Sequence, residues 1–326
     1  MDTGNTGPGA SPDLNRFRLV LVFVALVLAG CDTMPHPLKV GSNQWPGYET
    51  VYLARDLGLL GRRIKLVELP SSTDVMQHLR DGNLDAGMLT LDETIGLVGE
   101  GVPLRVVLVM DLSNGADVVL ARPGIEELAD LRGKRVGVEL SAVGTVMLES
   151  LLEAAHLGRG DIRLVNLPVD RQEAAYRAGE VDVVVTFEPT RSRLLALGAH
   201  ELFSSRAIPG RIVDVLAVRA DALDHHAPQV RKLVAAHFQA LAELETHPQQ
   251  ALRRIAPRLW TTPERLRQAY EGLILPDLDS NRRWLREGGE LLPRAEALAA
   301  LMVRWGLLPA TPDLSHLADD RFLPHG

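Results

Sequence analysis

Apolar positions along the chain fall into two alternating figures. Short apolar runs at 86–89, 105–110, 118–121, 183–187 and 212–218 each close on a polar turn, a glycine or a charged residue. Runs of that length suit strands buried on both faces. Between them lie longer segments with a 3.6-residue period, such as 49–60 and the series Val146, Leu148, Leu151, Leu152, Ala155 and Leu157, with Gly158 placed to end the helix. Strands alternating with helices predict parallel pairing, with the helices packed on the sheet faces.

The alternation is written twice. Lys39-Val40-Gly41 returns as Arg135-Val136-Gly137, and Gly47 returns as Gly144. Ile64-Lys65-Leu66-Val67-Glu68-Leu69-Pro70 returns as Ile162-Arg163-Leu164-Val165-Asn166-Leu167-Pro168, and the stretch from Leu79 through Gly82 to Ala86 returns from Tyr176 through Gly179 to Val183. The offsets are 96, 97, 98 and 97 residues, so whole units recur in order. The prediction is an α/β fold of two similar lobes, each a mostly parallel sheet flanked by helices.

The runs at 105–110 and 212–218 read as strands that carry the chain between the lobes. The first lobe is then 38–113, the second 114–217, and 218–326 returns to the first lobe with a helical C-terminal segment. Helices are expected over 228–243, 248–259, 263–270 with Thr261 or Thr262 as N-cap, 281–287, and 293–305 ended by Gly306. They pack on the first lobe and across the hinge, and the last dozen residues read as a loosely held tail. His225-His226 stands at a helix start with no Asp, Glu or Cys at metal-ligand spacing, and reads as a solvated pair.

Composition narrows the function classes. Of 326 residues, 46% are hydrophobic and 24% charged, which is ordinary for a globular chain, and a formal net charge of −7 leaves no basic excess for nucleic acid. A single cysteine excludes a disulfide framework and a Cys-rich metal site. That residue, Cys31, ends a 12-residue apolar run at 19–30 preceded by Arg16 and Arg18, the pattern of a signal peptide and too short to span a bilayer. Leu28-Ala29-Gly30-Cys31 resembles the bacterial lipoprotein box, which implies removal of 1–30, acylation of Cys31 and a tether over 31–37. Several acyl chains hold firmly where one is marginal, at about 0.8 kcal/mol per buried CH₂. Asp32 resembles the residue that keeps such lipoproteins on the inner membrane.

A wider resemblance rests on Trp45-Pro46-Gly47-Tyr48, Leu53-Ala54-Arg55-Asp56-Leu57-Gly58-Leu59, Gly82 through Asp85-Ala86, Leu128-Ala129-Asp130-Leu131-Arg132-Gly133-Lys134-Arg135-Val136-Gly137-Val138, and Glu188-Pro189. In this order and spacing, across 38–220, the pieces resemble the type II periplasmic substrate-binding proteins of nitrate, sulfonate, taurine and thiamine-precursor ABC importers. The resemblance implies a two-lobed periplasmic-binding-protein-like fold and a small-molecule solute held between the lobes. It also implies a monomer without cofactor, on the periplasmic face of the inner membrane, that delivers its solute to a permease and its ATPase.

Ligands of such folds sit beyond the carboxyl ends of parallel strands, near helix N-termini. The corresponding rims are 44–48, 90–93, 141–145 and 188–190. Trp45 and Tyr48, flanking Pro46 and Gly47, can stack on a ligand or cap the core. Thr90 and Asp92 follow a strand, where a carboxylate also caps the next helix, and Asp111 and Ser113 lie where the hinge passes the cleft. Ser141, Gly144 and Thr145 open a helix, as N-caps or as an anion site. Glu188 matches the family's acidic residue before proline, with Arg191 or Arg193 as the rival partner.

Two departures from the family pattern shift the expected ligand. Phe187-Glu188-Pro189 stands where sulfonate and taurine binders often carry an aromatic residue and Asp, and the loop 139–145 has few hydroxyls and brings Glu139. Both favour a cationic or amide nitrogen over a strong anion, with Glu188 on the donor nitrogen, the 141–145 turn on the polar end and Trp45 over the ligand's face. No HExxH, GxSxG, Walker A, GxGxxG or CxxC pattern occurs, so catalysis lacks an obvious nucleophile. The alternatives are a ligand-sensing subunit for a membrane receptor and an enzyme on the same fold, of the thiamine-pyrimidine or menaquinone biosynthesis kind.

Overall fold

Each half of the repeat builds one sheet. In the first, β1 (Leu38–Ser42) pairs in parallel with β2 (Ile64–Glu68) and β3 (Ala86–Thr90), and Val40 stands beside both Leu66 and Ala86. The computed structural model describes residues 1–4, 36–140 and 143–325, and the strands and helices it describes all lie in the unit Pro37–Gly326. The readings for 1–30, for Cys31 and its tether, and for Ser141 therefore fall outside the described residues.

The first sheet is completed by β4 (Leu104–Ser113), β10 (Val213–Arg219) and β11 (Leu273–Ile274), in the order β11-β4-β10-β3-β1-β2. The second contains β5 (Val118–Ala121), β6 (Arg135–Val138), β7 (Arg163–Asn166), β8 (Val183–Thr186) and β9 (His200–Ser204), in the order β7-β6-β8-β5-β9. Here β6 lies parallel to β7 and β8, as β1 does to its neighbours. Both sheets are mixed rather than mostly parallel, because β10 runs antiparallel to β3 and β5 antiparallel to β8. Those are the strands on which the chain arrives from the other half.

The connecting helices are α1 (Glu49–Asp56), α2 (Ser72–Arg80), α3 (Leu91–Gly99), α4 (Gly144–Ala155), α5 (Val169–Ala178) and α6 (Thr190–Ala196). Ser71 caps α2 by accepting from the Asp74 N–H at 3.2 Å. Helix α4 closes on His156 in the left-handed region, at φ 53°, whereas Gly158 is extended and is not the cap that the pattern suggests.

Five more helices follow: α7 (Ala220–Thr246), α8 (Pro248–Ile255), α9 (Pro263–Tyr270), α10 (Leu278–Leu285) and α11 (Leu291–Arg304). Helix α7 starts eight residues before Pro228, the expected boundary, and carries that proline on its exposed side, as it does Asp224 one turn earlier. His225 is exposed, but His226 is buried, correcting the solvated-pair reading. It falls in line with Leu223 and Val230 on the helix face that packs inward. Among the described residues no helix is long and apolar enough to cross a membrane.

The C-terminal segment closes the outer edge of β4 in three pieces. β11 pairs at Leu112 and Ser113; the Asn281 side chain takes the Val109 N–H at 2.7 Å and gives to its carbonyl at 3.0 Å; and the Val106 N–H donates to Leu317 while its carbonyl accepts from Asp319. The final residues are therefore packed rather than loose, and Phe322 and Leu323 are buried. An unpaired buried backbone group costs about 1–3 kcal/mol. Asn281→Leu strips two partners from β4 at once and should lower unfolding stability by at least about 2 kcal/mol in urea titration, whereas an unchanged midpoint would contradict this role for the amide.

Candidate functional site

The carboxyl ends of β1 and β3, the two hinge strands and the second sheet converge on one enclosed space. Trp45 is extended and begins a single 3-10 turn, Pro46–Tyr48, whose proline suits the first helical position. The turn directs both rings inward: Trp45 donates its indole N–H to Asp111 at 3.0 Å, and the Tyr48 hydroxyl donates to Asp214. Gly47 is required here, because a Cβ would lie 1.7 Å from Asp111 Oδ2. From the second sheet, Phe187 meets Trp45 edge-on at 5.3 Å between ring centroids.

The cavity has about 300 Å³ of empty space, mouth included, and is lined by Asn43, Trp45, Tyr48, Ser72, Thr90, Glu93, Asp117, Val143, Phe187 and Asp214. Thr90 ends β3 and its N–H is taken by Glu93 at 3.0 Å in the first turn of α3. Asp92 and Glu93 thus sit at the positive end of that helix, which offsets part of their charge. Asp111 on β4 stands directly opposite Asp214 on β10. Asp117 precedes β5, its N–H held by Ser113 Oγ at 3.1 Å, and Ser113 Oγ in turn meets Ser205 Oγ at 2.8 Å.

Three carboxylates, Glu93, Asp117 and Asp214, line a wall that contains no Lys, Arg or His, and Asp92 and Asp111 are buried close behind it. Asp92 Oδ1, Glu93 Oε1, Asp111 Oδ1, Asp117 Oδ2 and Asp214 Oδ2 are all buried without a hydrogen-bond partner. Burial pushes Asp92 up to about 6 and Asp117 up to about 7. Glu93 rises to about 8 through burial and the Asp92 charge, and Asp111 to about 7 through burial. Asp214 goes well above the usual carboxylate range through burial and the facing Asp111. Burial thus favours the protonated form of these groups, most strongly at Glu93 and Asp214.

Of the residues singled out in the sequence, Trp45, Tyr48 and Thr90 line this cavity, while Asp92 and Asp111 lie buried behind it with an oxygen free. Gly144 lines an adjoining cavity. The Thr145 hydroxyl donates to the Leu140 carbonyl at 2.6 Å, and Ser113 is engaged at the hinge. Glu188 is in neither wall: its oxygens accept from Ser192 Oγ at 2.9 Å and Ser192 N at 3.3 Å, and Arg191 lies 3.6 Å away, whereas Arg193 faces Glu173. Asp117 and Asp214 escaped the sequence reading. A signal existed for Asp214, an acid inside the otherwise apolar run 212–218.

Two α/β sheets of this topology, with a cavity at the ends of their parallel strands, define a periplasmic-binding-protein fold. Residues 33–259 match the NMT1-like family, and the chain belongs to it. A Haemophilus influenzae protein named for thiamine biosynthesis is 28% identical over 228 residues, 68% of this chain and 70% of its own length. The taurine-binding periplasmic protein of Escherichia coli is 24% identical over 179 residues, 54% of this chain and 55% of its own, so the chain spans just over half of that relative. The alkanesulfonate-binding protein of Xanthomonas axonopodis pv. citri, solved with MOPS bound, shares the fold with a TM-score of 0.73 at 20% identity, over 87% of this chain and 98% of its own. The chain is thus similar in sequence to proteins named for thiamine biosynthesis and for taurine binding, and in fold to an alkanesulfonate-binding protein.

The carboxyl cluster sets a pH dependence. Asp111, Asp117, Glu93 and Asp214 keep protons near neutrality in the folded state but release them near pH 4 when unfolded, so stability falls as pH rises through 7 and 8. Buried His237, held neutral down to about 3, acts in the opposite sense only below its ordinary value of 6.5. Asp182, lowered to about 2 by its bond to Arg135, acts only in acid. Urea titrations of the empty protein at pH 6.5 and 8.5 should therefore find it less stable at pH 8.5 by about 2 kcal/mol or more. Equal or greater stability at pH 8.5 would contradict this assignment.

Proposed function

We propose that the chain is the substrate-binding component of an ABC importer, capturing a small organic solute between its two sheets and passing it to a permease and ATPase. The solute presents cationic or N–H-bearing nitrogen. The observation that carries this reading is the set of buried carboxylate oxygens without donors in a wall without cationic side chains. A carboxylate that ionises in this space is left unpaired at a cost of several kcal/mol, and a ligand with N–H donors removes that cost where a sulfonate or nitrate would raise it. Binding rather than catalysis is supported by the taurine-binding and alkanesulfonate-binding relatives. In this reading Trp45 and Phe187 cover the ligand, and Asp117, Asp214 and Glu93 take its donors. The protein acts as a monomer, tethered outside the cytoplasm through acylated Cys31; intact mass spectrometry of membrane-extracted protein reads that anchor directly, and an unacylated chain retaining Met1 would refute it.

Thermal unfolding at pH 8 tests the ligand class across amines, aminopyrimidines, amides, taurine, alkanesulfonates and nitrate. A solute bound only by the folded state adds about 2.7 kcal/mol at 100 times its Kd. Nitrogen-donor solutes should raise Tm and the anions should not, and Asp117→Asn should weaken the response by about ten-fold in affinity. Stabilisation by anions alone would overturn the reading.

A further inference from the structure

A second cavity adjoins the first and shares Asp117, Val143 and Phe187 with it. It is narrow, with about 260 Å³ of empty space, mouth included, and reaches Glu139 and Gln172. Gln172 is fully buried; its Nε2 donates to the Val185 carbonyl at 2.9 Å, and its Oε1 is buried without a donor. Glu139, also buried, accepts from the Thr73 hydroxyl and, at 3.4 Å, from the Val169 N–H. No Lys, Arg or His lines this cavity either. Both compartments thus offer carboxylate or amide acceptors and lack cationic side chains, and Asp117, Val143 and Phe187 stand where they meet. Among the described residues no three of these carboxylates bring their oxygens within 4.8 Å of one another, so the negative charge is spread rather than gathered around a single metal ion.

We propose that the second cavity is a subsite for the far end of the same ligand, and that the ligand is an elongated solute with a donor nitrogen at each end and an apolar middle. This assignment rests on the nitrogen-donor reading above. Asp214, Glu93 and Asp117 receive one end, Gln172 and Glu139 the other, and Phe187 and Val143 contact the methylenes between them. An α,ω-diamine is the simplest member of the class.

Calorimetric titration of the full chain at pH 8 with 1,4-diaminobutane, 1,5-diaminopentane, butylamine and pentylamine tests it. The diamines should bind at least about ten-fold tighter than the monoamines of equal length, as expected for an added hydrogen bond to a charged donor. Gln172→Leu should erase that preference while leaving monoamine affinity unchanged. Because Gln172 also holds the Val185 carbonyl, near-isosteric Glu139→Gln serves as a second variant, expected to lower diamine affinity selectively. Equal affinity of diamines and monoamines for the unmodified protein overturns the subsite and leaves the nitrogen-donor reading standing. Binding of neither amine overturns both.

Discussion

A carboxylate taken out of water needs a proton, a cation or several donors, and the space between the two sheets supplies too few donors for the acids it holds. Asp92 and Glu93 draw on the first turn of α3; Asp111 has the Trp45 indole and Asp214 the Tyr48 hydroxyl. Each still retains an oxygen without a partner, as does Asp117. The low dielectric that makes this costly also makes any cation entering the space strongly held. The same feature therefore lowers the stability of the empty protein at alkaline pH and gives the cleft its preference.

The architecture delivers these groups from parts of the chain that share little locally. β4 and β10 pair side by side in the first sheet while linking the two halves, which sets Asp111 against Asp214. The Ser113–Ser205 contact positions Asp117 where the chain enters the second sheet. Closing the edge of β4 with β11, Asn281 and the chain around Ala318 keeps the hinge strand from offering free backbone groups. Across the hinge, Glu153 on α4 accepts from Arg211 before β10 and from Arg304 and Trp305 at the end of α11. The C-terminal segment thus supports the site without lining the first cavity.

Much of the fold was legible because repetition and periodicity are local properties. The near-constant offset between 39–86 and 135–183 located six parallel strands, and the expected bounds of α9, with Thr262 as its cap, match its structure. What was illegible depended on partners distant in sequence. The tail read as loose because nothing in its own residues announces that Leu317 and Asp319 will bond to Val106. Trp45, Tyr48, Asp92 and Asp111 were found by following strand ends, but Asp117 and Asp214 become functional candidates only when the hinge strands are laid together. Glu188 drew attention by motif, yet Ser192 and Arg191 occupy its oxygens.

The central claim is that the acids of the empty cleft hold protons which a nitrogen-donor ligand must displace. Calorimetric titration of such a ligand at pH 7, repeated in buffers of different ionisation enthalpy, counts those protons. The account predicts net release of at least about one proton per ligand bound, seen as an apparent binding enthalpy that changes linearly with buffer enthalpy. An enthalpy independent of buffer would mean that the carboxylates are already ionised in the empty protein, and would contradict the account.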